Sequence, residues 1–228
     1  MNKEQLERTI GLLGESTVES FQDKAIAVIG LGGVGGTALE GLVRTGFNNF
    51  VIVDGDIVNL SNLNRQILYT RKDIGESKVN AAERRIHAIN EECDVKSINL
   101  KISEANIGIF DEYKIDFIVD AIDDVNAKVA LAKYAMKRNI PMVVSLGMAN
   151  RFSPSMVEVI RLDKTTNDPL ARKLRYELRK NGIDTSKIMA VCSKENPIKD
   201  ENKLHSIITT PSSAGLNIVE YVIKYFSK

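Results

Sequence analysis

Residues 25–54 read AIAVIGLGGVGGTALEGLVRTGFNNFVIVD. The runs 25–30 and 50–54 are short, apolar and rich in branched side chains, as parallel strands buried on both faces require. Between them, Val34 to Thr45 has helical spacing and is closed by Gly46. The stretch is therefore predicted to be one strand–helix–strand unit. Its glycines, Gly30, Gly32, Gly33 and Gly35, fall where the first strand meets the helix. There, bare backbone can turn tightly and approach a phosphate at the helix amino terminus. Asp54 ends the second strand, where a carboxylate can take the hydroxyls of a ribose. These residues predict an adenine-nucleotide site without choosing between NAD and ATP.

Strand and helix signals continue to alternate along the chain. A helix is expected over 76–90, a strand over 94–102, a short helix over 104–113 and a strand over 115–122. A helix over 124–138 and a strand over 142–146 follow. This order predicts an α/β, Rossmann-like, doubly wound and mostly parallel sheet. From Phe152 the period changes. SMVEVIRL (155–162) suggests antiparallel strand structure in the last third, residues 168–182 a helix with Pro169 in its first turn, and Pro211 the start of a final helix. The expected organisation is a single unit over 1–228: amino-terminal helices over 1–22, a nucleotide-binding core over 23–150 and a carboxy-terminal lobe over 151–228.

The chain has 228 residues with 31 basic and 30 acidic side chains, so gross charge names no partner. The balance is uneven, however: residues 151–228 carry a net +5 and residues 1–150 a net −4. A basic lobe beside an acidic nucleotide-binding half suits a polyanionic substrate. Two cysteines, Cys93 and Cys192, and two histidines, His87 and His205, are too few and too dispersed for a disulfide framework or a zinc ribbon. The longest uncharged apolar run, 25–39, is too short to span a bilayer, and the amino terminus lacks the apolar core of a signal peptide. A cytoplasmic protein without a membrane span is expected.

Further motifs separate ATP from NAD. Asp54-Gly55-Asp56 is followed by Ser61-Asn62-Leu63-Asn64-Arg65-Gln66, Gly75-Glu76-Ser77-Lys78 and Asp120-Ala121-Ile122-Asp123-Asp124. Singly, Arg65 and Lys78 read as solvated charges and Asp123 as a helix cap. Together they supply two cations and a metal-binding carboxylate around one nucleotide. Phosphoryl chemistry needs such a set, whereas hydride transfer has little use for it. Lys78 and Asp123 are expected at element ends, outside the core.

In this order the motifs resemble the ThiF/MoeB-like (ThiF/MoeB/HesA) superfamily of adenylyltransferases, which includes the ubiquitin-activating enzymes; the likeness covers about residues 5–160. It implies ATP on Gly33 and its loop, ribose on Asp54, phosphates on Asn62, Arg65 and Lys78, and Mg²⁺ on Asp123. Asp56, Gln66 and Asp124 complete the expected nucleotide-binding set. Arg8, in LERTIGLLG, matches an arginine that members insert from a partner subunit, implying a homodimer. Members that adenylate a ubiquitin-like sulfur carrier usually carry CxxC pairs, which are absent here. Instead, DPLARKLR (168–175) resembles the tRNA threonylcarbamoyladenosine dehydratase branch.

That branch implies ATP-dependent cyclisation of threonylcarbamoyladenosine at position 37 of tRNA, with no protein thiol required, and Cys192 is expected to be a small buried hydrophobe. The expected phosphate-contacting face of the 168–182 helix is Arg172, Lys173, Arg175 and Arg179, opposite Leu170, Leu174 and Leu178. Lys180 adds to the same basic side, and Lys194, Lys199 and Lys203 lie in a polar segment suited to an anticodon loop. The alternatives are a carrier-protein adenylyltransferase, with a sulfur-relay or carrier partner, and an NAD-dependent oxidoreductase.

Overall fold

The computed structural model describes residues 1–198 and 203–228. Lys199 lies outside the described residues. In chain order the elements are α1 (Lys3–Leu13), α2 (Glu15–Gln22), β1 (Ala25–Ile29), α3 (Gly33–Thr45), β2 (Asn49–Val53), α4 (Lys78–Ile89), β3 (Asp94–Ile98), β4 (Phe117–Asp120), α5 (Val125–Arg138), β5 (Met142–Ser145), β6 (Val157–Arg161), α6 (Pro169–Lys180), β7 (Met189–Ser193) and α7 (Thr209–Phe226). The short helix expected over 104–113 is a 3-10 helix, Ile107–Glu112.

The strands make one seven-stranded sheet in the order β3-β2-β1-β4-β5-β7-β6. Every pairing is parallel except that of β6 with β7. The antiparallel character expected of the last third thus belongs to β6 alone, since β7 continues the parallel set beside β5. Chain order reverses between β1 and β4, which opens a crevice at their carboxyl ends, the usual place for a ligand in such a sheet.

Side-chain alternation along the strands builds a core on each face. Ile26, Val28, Phe50, Ile52 and Val119 point toward α1 to α4 and α7. Ala27, Ile29, Val51, Val53 and Ile118 point toward α5 and α6. This double burial explains why β1 and β2 read as unbroken apolar runs.

Caps fix where the helices begin and end. Gly46 ends α3 in the left-handed conformation, at φ 112°. Asp168 begins α6 by accepting from the Ala171 amide at 2.9 Å, with Pro169 in the first turn. The amino end of α7 lies against that of α3. Pro211 lies 3.1 Å from where a Cβ on Gly33 would sit, and Gly215 abuts Val34 and Thr37. The carboxy-terminal lobe therefore reaches the glycine loop.

Candidate nucleotide site

The glycine loop lies at the reversal point of the sheet. Gly30 leaves β1 at φ 90°, and its N–H donates to the Val53 carbonyl at 2.8 Å. A Cβ on Gly30 would lie 2.6 Å from the Ala121 carbonyl oxygen at the end of β4, and one on Gly35 would collide with the Gly30 carbonyl. Gly32 caps α3 without a side chain, so the first amides of the helix face outward unpartnered by the helix itself. Together with the helix dipole, they form an anion-binding corner. Gly35→Ala is expected to remove nucleotide binding and lower the melting temperature, because the clash is with the backbone of the loop itself. A nucleotide titration and a thermal melt check this.

Asp54 stands at the end of β2, next to that corner. Its carboxylate accepts from the Leu31 amide at 2.7 Å and from the Asp56 amide at 2.9 Å. Tyr69 supports the loop from behind by donating to the Leu31 carbonyl at 2.9 Å. Lys78, the first residue of α4, places its ammonium 3.1 Å from Asp56 and 3.6 Å from Asp54. It is buried, contrary to the expectation that it lies outside the core, because its ammonium turns inward onto the Asp54 and Asp56 carboxylates. Lys101, which the sequence reading did not single out, pairs with Asp56 at 2.9 Å. That hydrogen bond, followed by burial acting in opposition and the bond from Lys78, holds the Asp56 carboxyl below its usual range.

The SNLNRQ loop supplies the other polar groups. Asn62 closes a 3-10 turn by accepting from the Asn59 amide at 2.9 Å, so its side-chain oxygen builds the loop. Arg65 donates through Nη1 to the Ser61 carbonyl (2.9 Å) and to Asn64 Oδ1 (2.8 Å). Gln66 is buried next to Gly32, and its Oε1 has no partner among the described residues. A buried acceptor without a donor is costly in an isolated chain and is satisfied when a ligand or water supplies one.

The DAIDD turn follows β4. Asp124, not Asp123, caps α5, accepting from the Ala127 amide at 2.8 Å. Asp123 is exposed and makes no hydrogen bond to a described residue. Beneath the turn, Asp120 and Lys128 form a fully buried ion pair at 2.9 Å, and Asp120 also accepts from the Ile122 amide at 3.1 Å. Burial pushes the Asp120 carboxyl up, against the pull of Lys128. Removing either partner of such a pair costs about 3–5 kcal/mol. The pair braces the turn that carries Asp123.

Two expected groups lie elsewhere. Arg8 is exposed on α1, which packs by Leu6 against Gly46 at the far end of α3. The thirteen residues of α3 separate that end from the glycine loop by about 18 Å. On α6, Arg172, Lys173 and Arg179 are exposed, while Arg175 is half-buried and donates to the Thr165 carbonyl and hydroxyl. Leu174 and Leu178 are buried and Leu170 partly so, as the helical spacing predicts. Arg151, also not singled out from the sequence, is buried and donates to the carbonyls of Gly147, Asn167 and Glu195. It thereby locks the turn after β5 to the start of α6. Cys93 and Cys192 are buried, and burial pushes both thiols up to about 11.

The ThiF family profile matches residues 5–227, nearly the whole of this α/β chain. The chain belongs to the ThiF family. Among ThiF-family relatives, it is 34% identical over 212 residues to the tRNA threonylcarbamoyladenosine dehydratase of Bacillus subtilis, covering 88% of this chain and 83% of that one. The ATP complex of the Escherichia coli tRNA N6-threonylcarbamoyladenosine dehydratase TcdA superposes with a TM-score of 0.93 at 31% identity, over 98% of this chain and 94% of that one. The AMP complex of the same enzyme superposes equally well.

Proposed function

We propose that this chain is an ATP-dependent dehydratase that cyclises N6-threonylcarbamoyladenosine at position 37 of tRNA by adenylating its carboxylate. The observation that carries the reading is the nucleotide corner at the β1/β4 reversal. There, the glycine loop meets the turn after β4 and Asp54 pairs with Lys78, in a chain similar along most of its length to dehydratases acting on this nucleoside; Arg65 and Asp123 are assigned to the same site.

The chemistry follows from the groups present. The threonyl carboxylate is already ionised at neutral pH, so it attacks the α-phosphorus without a protein base. The new O–P bond displaces pyrophosphate, whose charge Arg65, Lys78 and the α3 amino terminus offset. The carbamoyl group then attacks the activated acyl carbon and closes the ring. AMP departs with one former carboxylate oxygen, so the base has lost the elements of water. No thiol enters the sequence, in keeping with the buried, raised-pKa state of Cys192.

Mg²⁺ fits Asp123. The carboxylate is exposed and free of hydrogen bonds to described residues, whereas Asp54 and Asp56 are engaged by lysines. One carboxylate completed by phosphate oxygens and waters is the usual Mg²⁺ arrangement with a nucleotide. Among the described residues no cluster of three or more acidic, histidine or cysteine ligands exists, so the nucleotide itself would supply much of the coordination. Such an ion would neutralise the phosphates. Asn62 and Gln66 would contribute side-chain amides, and the Asp124 cap would set the turn.

Arg8 is exposed on α1, whose Leu6 packs at the end of α3 opposite the glycine loop, and in this reading it acts from a second copy of the chain, in a homodimer. No helix among the described residues is long and apolar enough to cross a membrane. A cytoplasmic location is part of the same proposal.

The exposed basic residues of α6 hold the tRNA backbone. Reversing Arg172, Lys173 and Arg179 to Glu is expected to weaken tRNA binding and flatten its salt dependence, by roughly 0.7 to 0.9 in log–log slope per lost contact. ATP binding is the control. An unchanged slope would make this helix a solvated face. AMP release that responds to threonylcarbamoyladenosine-containing tRNA tests the whole reading, and release driven by a carrier-protein tail would replace it.

A further inference from the structure

Asn64 makes two hydrogen bonds of opposite sense. Its Oδ1 accepts from Arg65 Nη1 at 2.8 Å, and its Nδ2 donates to the Ser206 carbonyl at 2.8 Å, across 142 positions of chain. Ser206 lies in the stretch 203–208 that enters α7. The same stretch is clipped to the turn after β5: the Asn150 amide donates to the His205 carbonyl at 2.7 Å, and the His205 amide donates to Asn150 Oδ1 at 2.6 Å. Asn150 is held in the left-handed conformation, at φ 58°. Asn64 thus stands between the carboxy-terminal lobe and the guanidinium of the phosphate loop.

The state of Arg65 gives that position a consequence. Its bonds to Ser61 and Asn64 both use Nη1, and no described residue takes Nε or Nη2. One corner of the fork is fixed and the side-on edge, which grips phosphate bidentately, is left uncommitted. A guanidinium ordered in advance loses less entropy when an anion binds. A primary amide suits the link because it accepts at one end and donates at the other.

We infer that Asn64 is a positioning residue that transmits the placement of the 203–208 stretch to the Arg65 guanidinium, and so sets how tightly the site holds the nucleotide phosphates. The inference rests on the nucleotide-site reading above. It makes the substrate-facing lobe and the ATP site one mechanical unit, joined through Ser206, Asn64 and Arg65.

The test is titration of the full chain with a fluorescent ATP analogue, on single and double variants that retain wild-type melting behaviour. Asn64→Ala is expected to weaken binding about tenfold, the effect of one hydrogen bond to a charged group. Asn150→Gly keeps the left-handed backbone and the amide bond to the His205 carbonyl but removes the side-chain half of the clip, and is expected to weaken binding about threefold. Both losses should vanish in an Arg65→Ala background, because residues acting through one guanidinium are not additive. Losses that persist undiminished in that background, or unchanged affinity in Asn64→Ala, would overturn the inference while leaving the nucleotide site standing. Wild-type protein that fails to bind the analogue would overturn both.

Discussion

Asp123→Ala is expected to lower the rate of ATP consumption on the order of 100-fold or more while leaving the fold intact. The side chain is exposed and bonded to no described residue, so its loss removes charge compensation at the phosphates and nothing from the core. Lys78→Ala should cost at least as much in rate, with a different accompaniment. Lys78 is buried against Asp54 and Asp56, and its removal leaves two carboxylates facing each other with one fewer cation. A reduced melting temperature should therefore accompany the lost activity in Lys78→Ala and not in Asp123→Ala. Steady-state AMP production and thermal melts measure the two effects. Near-normal turnover in both variants would remove the phosphate role assigned to this corner.

The second large effect concerns Arg8. Arg8→Ala and Asp123→Ala are each expected to be inactive, yet mixing them should restore activity, because a heterodimer contains one site with both groups intact. The expectation rests on where α1 packs: Leu6 meets α3 at Gly46, the end opposite the glycine loop. If subunits exchange and the two dead variants never complement, Arg8 has no part in the reaction.

The parts of this site that were legible in the sequence are those fixed by local backbone demands. Gly30 and Gly35 announce a turn that tolerates no Cβ, and Asp54 sits where β2 must end. The helical spacing of Leu174 and Leu178 gave the buried side of α6 correctly. Resolution was lost where two adjacent residues of one type compete: Asp123 and Asp124 both suit a helix cap, and only the backbone at Asp124 selects it. Arg175 similarly looked equivalent to Arg172 and Arg179 until Thr165, ten residues earlier, claimed its guanidinium.

The remaining features depend on partners far apart along the chain. Lys101 meets Asp56, Arg151 meets Asp168, and Asn64 meets Ser206, each pairing created by the sheet order and by no local pattern. The closest to a visible signal was the Asp120/Lys128 pair. A carboxylate at the end of an apolar strand and a lysine one turn into the next helix share a buried face, so both must be paired. Burial of Lys78 left less trace, since the carboxylates that receive it, Asp54 and Asp56, lie more than twenty positions earlier in the chain.

The most direct test of the proposed activity is mass spectrometry of the nucleosides of a threonylcarbamoyladenosine-containing tRNA, after incubation with the purified protein, ATP and Mg²⁺. The account predicts that the nucleoside loses the mass of one water, with one AMP and one pyrophosphate released per base converted and no conversion without ATP. A nucleoside of unchanged mass, under conditions where the protein binds both ATP and the tRNA, would contradict it.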